Sequence, residues 1–146
     1  MNENTFLQSV MSENHCRYLT ICGSARFRKL KEKYQAYYTI KNNLVFAPVN
    51  YLLIKEEVEN DDIAAIKNAS TLAKIHDKKI DFCEAIIVVT DKGDRHVGTH
   101  TMREINYASL KDKKILVTSI NPDKAEKYYF NNDENYPLYM LKEEYL

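Results

Sequence analysis

Ala85-Ile86-Ile87-Val88-Val89 is an unbroken apolar run of five residues, four of them β-branched. With no polar side chain to meet water on either side, it reads as a strand buried on both faces, the pattern of a central position in a parallel sheet. Before it, from Asp61 to Ile80, the residues Ile63, Ile66, Ala69, Ala73, His76 and Ile80 recur every three or four positions. That period predicts the inner face of one helix, or of two consecutive ones. After it, a polar loop holding Gly93 and Gly98 leads into a predicted helix at 101–110. A further strand, Lys114 to Thr118, ends before Asn121-Pro122.

The alternation continues upstream. Tyr18 to Cys22 is a short apolar run ending at Gly23-Ser24, and Phe27, Leu30, Tyr34 and Tyr37 or Tyr38 then follow at helical spacing. Leu44 to Ala47 is a second short strand closed by Pro48, feeding a polar connection past Tyr51. Strands alternating with helices through short connections imply right-handed crossovers. The expected fold is α/β, a Rossmann-like or flavodoxin-like open parallel sheet with helices on both faces. Residues 1–16 are polar with one apolar patch (Phe6, Leu7, Val10, Met11), which fits either a short helix or a flexible arm. Residues 17–146 read as a single domain. Its end holds five of the eleven tyrosines (Tyr128, Tyr129, Tyr136, Tyr139, Tyr145), apolar area expected to pack on the domain or on a neighbouring subunit.

Bulk properties exclude several classes. The 146 residues match one ordinary domain. Lys and Arg number 21 and Asp and Glu number 21, so no basic field exists for a phosphate backbone, which argues against duplex nucleic acid as a partner. Ala85 to Val89, the longest apolar stretch, is far short of the roughly 20 residues of a membrane helix. The polar N-terminus lacks the order of a signal peptide, and the expectation is a cytoplasmic protein without membrane partners. Cys16, Cys22 and Cys83 are odd in number and suit reduced thiols rather than a disulfide framework. No CxxC spacing occurs, and the HxxxH pair His96 and His100 flanks a glycine and a threonine, where a turn is expected rather than a continuous helix, so neither a metal nor another cofactor is expected.

Open parallel sheets bind ligands beyond the carboxyl ends of their strands, which gathers 23–26, 48–51, 90–101 and 119–121 at one edge. Gly23-Ser24-Ala25-Arg26 offers a tight turn, a hydroxyl, free N–H groups at a helix start and a guanidinium, the parts of a phosphate cradle. Alternatively, Ser24 caps the helix and Arg26 lies in solvent. Glu104 falls in the first turn of a helix starting at that edge, where its carboxylate faces a bound sugar; Thr101-x-x-Glu104 equally fits a capping box without chemistry. His76 precedes Glu84 by eight residues. The helix descends about 12 Å over that stretch and the strand climbs back about 17 Å, so His76 approaches the ligand edge. Asp77 adjoins it, and Asp81 lies about one turn further away. Any of the three fits a proton donor or a ribose-orienting group, or else a satisfied core histidine and a solvated helix end.

Together the Gly23-Ser24-Ala25-Arg26 turn, the approach from Asp81 into Val89, and the stretch from Gly98 to Ala108 resemble the nucleoside 2-deoxyribosyltransferase-like superfamily over residues 18–118. The first turn looks most like the 2'-deoxynucleoside 5'-monophosphate N-hydrolases. The later stretch, with Glu104-Ile105 and Tyr107-Ala108, is closer to uncharacterised bacterial and phage members. The resemblance implies that Glu104 matches a nucleophilic glutamate that attacks the anomeric carbon and holds a covalent deoxyribosyl intermediate while a second acid protonates the leaving base. The family's aspartate position falls here on His76, with Asp77 beside it and Asp81 five residues on. Gly23, Ser24 and Arg26, with Gly98 and Thr99, are then expected to hold the 5' end or phosphate of a small-molecule nucleoside or nucleotide. The resemblance also implies a homo-oligomer in which a neighbouring subunit completes each site. The competing expectation is a nucleotide-sensing domain of the same fold without turnover, and a third is a purely structural interaction protein.

Overall fold

The computed structural model describes residues 3–49, 62–89, 98–119 and 135–139. In chain order the elements are α1 (Glu3–Met11), β1 (Tyr18–Gly23), a 3-10 turn (Ala25–Phe27), α2 (Arg28–Ile40), β2 (Leu44–Phe46), α3 (Asp62–Phe82), β3 (Ala85–Val89), α4 (Thr99–Leu110), β4 (Lys114–Ser119) and β5 (Asn135–Tyr139). The strands form one sheet in the order β2-β1-β3-β4-β5, and every pairing is parallel. The chain is therefore an α/β open parallel sheet. β3 lies at its centre and all five of its residues are buried, as the apolar run requires.

Strand side chains alternate between faces, and that alternation splits the core in two. Leu19, Ile21, Ala85, Ile87, Val89 and Leu116 face α1 and α2, meeting Phe6, Val10, Phe27, Tyr34 and Tyr38. Cys22, Ile86, Val88, Ile115 and Val117 face the other way, toward Ile80 of α3 and Ile105 and Ala108 of α4. Helices thus cover both faces. The period read along 61–80 forms one helix, and its inner stripe holds at His76 and Ile80, which are buried. Ala69 departs from the stripe and is exposed.

The alternative left open at the N-terminus resolves as a helix docked on the core. Phe6 and Val10 of α1 are buried there. The buried Asn43 amide ties three segments together: its Nδ2 donates to the carbonyls of Val10 (2.9 Å) and Tyr38 (3.0 Å), and its Oδ1 accepts the Arg17 N–H (3.1 Å). Arg17 in turn donates through Nε to the Ser9 hydroxyl at 2.8 Å and pairs with Glu84 at 3.1 Å. At the C-terminal side a fifth parallel strand emerges that sequence patterning left unassigned, because Asn135-Tyr-Pro-Leu-Tyr139 has no β-branched residue and contains Pro137. Proline cannot donate to a ladder, and β5 takes the edge position where that costs least. Among the described residues no helix is long and apolar enough to cross a membrane.

Replacing Asn43 by alanine removes the donor to the Val10 carbonyl and the acceptor of the Arg17 N–H, while the Tyr38 carbonyl keeps the backbone N–H of residue 43. We expect Asn43→Ala to lower unfolding stability by about 1–3 kcal/mol, read as a shift of the urea midpoint at unchanged slope.

Candidate functional site

The strand order changes direction between β1 and β3, and in open α/β sheets the crevice outside the carboxyl ends at such a switch point is the ligand position. Here those ends meet at Gly23, paired in register with Val89. Gly23 has φ +152°, and a Cβ on it would stand 2.9 Å from the Val89 carbonyl oxygen, so a glycine is required for the two strands to approach. One residue earlier, Cys22 projects to the α3/α4 face, where the helices bring His76 and Glu104 to it.

These three side chains form a compact polar cluster in the described core. The Cys22 Sγ lies 3.4 Å from His76 Nε2, and the same nitrogen lies 2.9 Å from Glu104 Oε2. All three sit within 4.8 Å of one another. Cys22 is completely buried, and the His76 and Glu104 side chains are 8% and 16% exposed. The His76–Glu104 approach is at ion-pair distance but off the line of a hydrogen bond, since Oε2, like His76 Nδ1, has no hydrogen-bond partner among the described residues. Close approach rather than a directed bond therefore links the two.

Electrostatics around the cluster favour a charged carboxylate and a neutral thiol. Burial pushes the Glu104 carboxyl upward, but His76, Cys22 and Arg103 outweigh it and hold the group below the usual carboxylate range. Burial, reinforced by the Glu104 charge, pushes the Cys22 thiol well above its ordinary value. Lys31 of α2 donates to the Gly23 carbonyl at 3.2 Å, and burial lowers its pKa while Glu104 and Cys22 act in the opposite sense.

The expected site residues fall into three groups. His76 and Glu104 meet. Asp77 does not join them: one guanidinium nitrogen of Arg103 donates to both its carboxylate oxygens at 3.0 Å. Asp81 is held on the exposed side by the Tyr107 hydroxyl at 2.7 Å, a bond that pushes the Tyr107 phenol up to about 12. The phosphate-cradle candidates line the same edge: Gly23 ends β1, Ser24 precedes the 3-10 turn and its carbonyl accepts the Phe27 N–H at 3.0 Å. Arg26 is within that turn by its backbone, and its side chain lies outside the described residues. Gly98 is the N-cap of α4, with its carbonyl accepting the Met102 N–H at 2.9 Å, and Thr99 is the first helical residue, exposed. The loop positions 90–97, His96 among them, lie outside the described residues.

Two local expectations are corrected. Thr101 and Glu104 do not form a capping box, because α4 begins earlier, at Thr99 with Gly98 as N-cap. Thr101 is thereby buried inside the helix, and Glu104 sits in its second turn. Ser24 does not cap α2 either, since the 3-10 turn intervenes and Phe27 occupies the N-cap without a side-chain bond. Three contributors were not singled out for chemistry from sequence. Cys22 read only as a reduced thiol, and Lys31 and Arg103 were given no role. The spacing test for metal ligands also fails to reach Cys22, His76 and Glu104, which are brought together from three separate elements. No protein-family model matches the chain, and a comparison with curated proteins finds no match.

The thiols offer a direct check on the burial at this site. Cys16 is exposed, whereas Cys22 and Cys83 are buried and their thiols are raised above the ordinary value. Titration of native protein with a thiol-reactive disulfide is expected to give one fast equivalent, absent in Cys16→Ser, and three equivalents after unfolding. A second fast equivalent in native protein would contradict the packing around Cys22.

Proposed function

We propose that this domain cleaves the N-glycosidic bond of a (deoxy)nucleoside or its 5'-monophosphate, by hydrolysis or by transfer of the sugar to another base. The nucleophile is Glu104, as the resemblance to the nucleoside 2-deoxyribosyltransferase-like superfamily implies. The observation that supports this most is the Glu104 carboxylate itself: mostly buried, held below the usual carboxylate range, and in contact with His76 at the carboxyl edge of the sheet. An ionised carboxylate with restricted hydration suits attack on a carbon whose transition state is cationic.

In this reading one Glu104 oxygen bonds to the anomeric carbon as the carbon–nitrogen bond breaks. The electron pair goes to the base nitrogen, which takes a proton. Water or a second base then displaces the carboxylate and restores it. His76 is assigned the proton movement, because it touches the carboxylate while Asp77 and Asp81 are engaged by Arg103 and Tyr107. Gly23, Ser24 and Arg26, with Gly98 and Thr99, hold the 5' end or phosphate. The protein is then cytoplasmic and homo-oligomeric, a neighbouring subunit completing each site.

A second reading, a nucleotide sensor without turnover, draws on the same contact. A carboxylate only 16% exposed and already paired with His76 has little freedom to meet a sugar. One variant separates the two. Glu104→Gln keeps the shape of the side chain, and base release from deoxynucleosides and their 5'-monophosphates, followed by chromatography, is expected to fall by on the order of a thousandfold or more with ligand binding retained. Release by the variant at the wild-type rate overturns the assignment, and binding without release by wild type supports the sensor.

A further inference from the structure

Cys22, His76 and Glu104 bring three different donor atoms, a sulfur, an imidazole nitrogen and a carboxylate oxygen, to one buried point. We propose that this point is a binding site for a zinc-class divalent cation, held by Cys22 Sγ, His76 Nε2 and Glu104 Oε2. The distances carry the first part of the argument. Zinc bonds of about 2.3 Å to sulfur and about 2.0–2.2 Å to nitrogen and oxygen, at tetrahedral angles, separate the donors by about 3.3–3.6 Å. The Sγ–Nε2 separation is 3.4 Å and the Nε2–Oε2 separation 2.9 Å, with the whole set inside 4.8 Å. Opening the Nε2–Oε2 pair by about half an ångström and closing the sulfur–oxygen pair, at most 4.8 Å apart, by up to about an ångström admits the ion.

Charge carries the second part. Binding displaces the Cys22 thiol proton to solvent, and the resulting thiolate with a carboxylate, a divalent ion and a neutral imidazole sums to zero, the condition a buried polar cluster needs. Without the ion, Glu104 Oε2 and His76 Nδ1 are buried without hydrogen-bond partners among the described residues. Coordination supplies Oε2 with a partner stronger than the misaligned imidazole contact. The donor set also selects the metal: a thiolate and an imidazole favour zinc and its neighbours over magnesium or calcium, which take oxygen ligands. Three protein ligands leave a fourth position open, as in zinc sites that hold a water or substrate rather than in purely structural ones. The site does not depend on the glycosidic reading. Where that reading also holds, the ion withdraws electron density from the same Glu104 carboxylate that attack requires, so metal and sugar compete for it.

The test is metal binding to the full chain, independent of any turnover. Purified protein is dialysed against Zn2+, its metal content measured, and Co2+ then used as a spectroscopic probe. One Zn2+ per chain is expected, together with a thiolate-to-cobalt charge-transfer band. Both should persist in Cys16→Ser, which removes the exposed thiol. Cys22→Ala should abolish the band, and Cys22→Ala and Glu104→Gln should each weaken Zn2+ binding by at least about tenfold, with circular dichroism showing the variants folded. Absence of stoichiometric Zn2+ in wild type overturns the site, as does a band or affinity unchanged by Cys22→Ala. Zn2+ binding by a protein whose metal-free form releases no base retains this inference and removes the glycosidic one; base release by the metal-free form without Zn2+ binding does the reverse.

Discussion

The pairing of β1 with β3 is the constraint on which the rest of the molecule depends. Five consecutive residues of each strand are in register, from Leu19 opposite Ala85 to Gly23 opposite Val89. Because both strands are interior to the sheet, their side chains are sorted strictly by parity into two cores. A slip of one residue would send Cys22 to the α2 face and Ile21 to the α3/α4 face, dismantling both cores at once. The same register ends where Gly23 lies too close to the Val89 carbonyl for any side chain. The strand ends therefore meet where α2, α3 and α4 bring Lys31, His76 and Glu104.

The cluster below that edge illustrates how a core and a site compete for the same positions. That face is largely apolar, with Ile80, Ile86, Val88, Ile105 and Val117 in one core with Cys22. Apolar walls lower the local dielectric, which strengthens the attraction between His76 and Glu104 and raises the cost of leaving either without a partner. The outer polar pairs, Arg103 with Asp77 and Tyr107 with Asp81, bridge α3 and α4 nearer solvent and are each worth little individually. They join α3 to α4 beside the contact between His76 and Glu104.

Much of the fold was legible because short-range pattern carries it. The β3 run was read with its observed boundaries, and β4 and α2 differed by about a residue at their ends, where such boundaries are least sharp. The start of α4 was read two residues late, and that small difference moved Glu104 from a capping turn into the body of the helix, where its side chain turns inward. β5 was illegible because its sequence lacks the β-branched residues that mark strands, its place resting on pairing with β4. The helical character of residues 3–11 was undecided by composition. It rests on Asn43, Arg17 and the apolar surface of Phe6 and Val10, contacts supplied by distant parts of the chain.

The sequence by itself determined the alternation of strands and helices and which residues face inward, because period two and period 3.6 are properties of the backbone that local side chains either satisfy or violate. It also marked His76 and Glu104 as lying near one edge, since rise per residue converts spacing into height. Tertiary structure alone decided that they touch, that Cys22 joins them, and that Asp77 and Asp81 are drawn away by Arg103 and Tyr107. The physical reason is that contact among three elements depends on how α3 and α4 are set on the sheet. That setting is chosen by the packing of the whole apolar layer, and no local spacing records it.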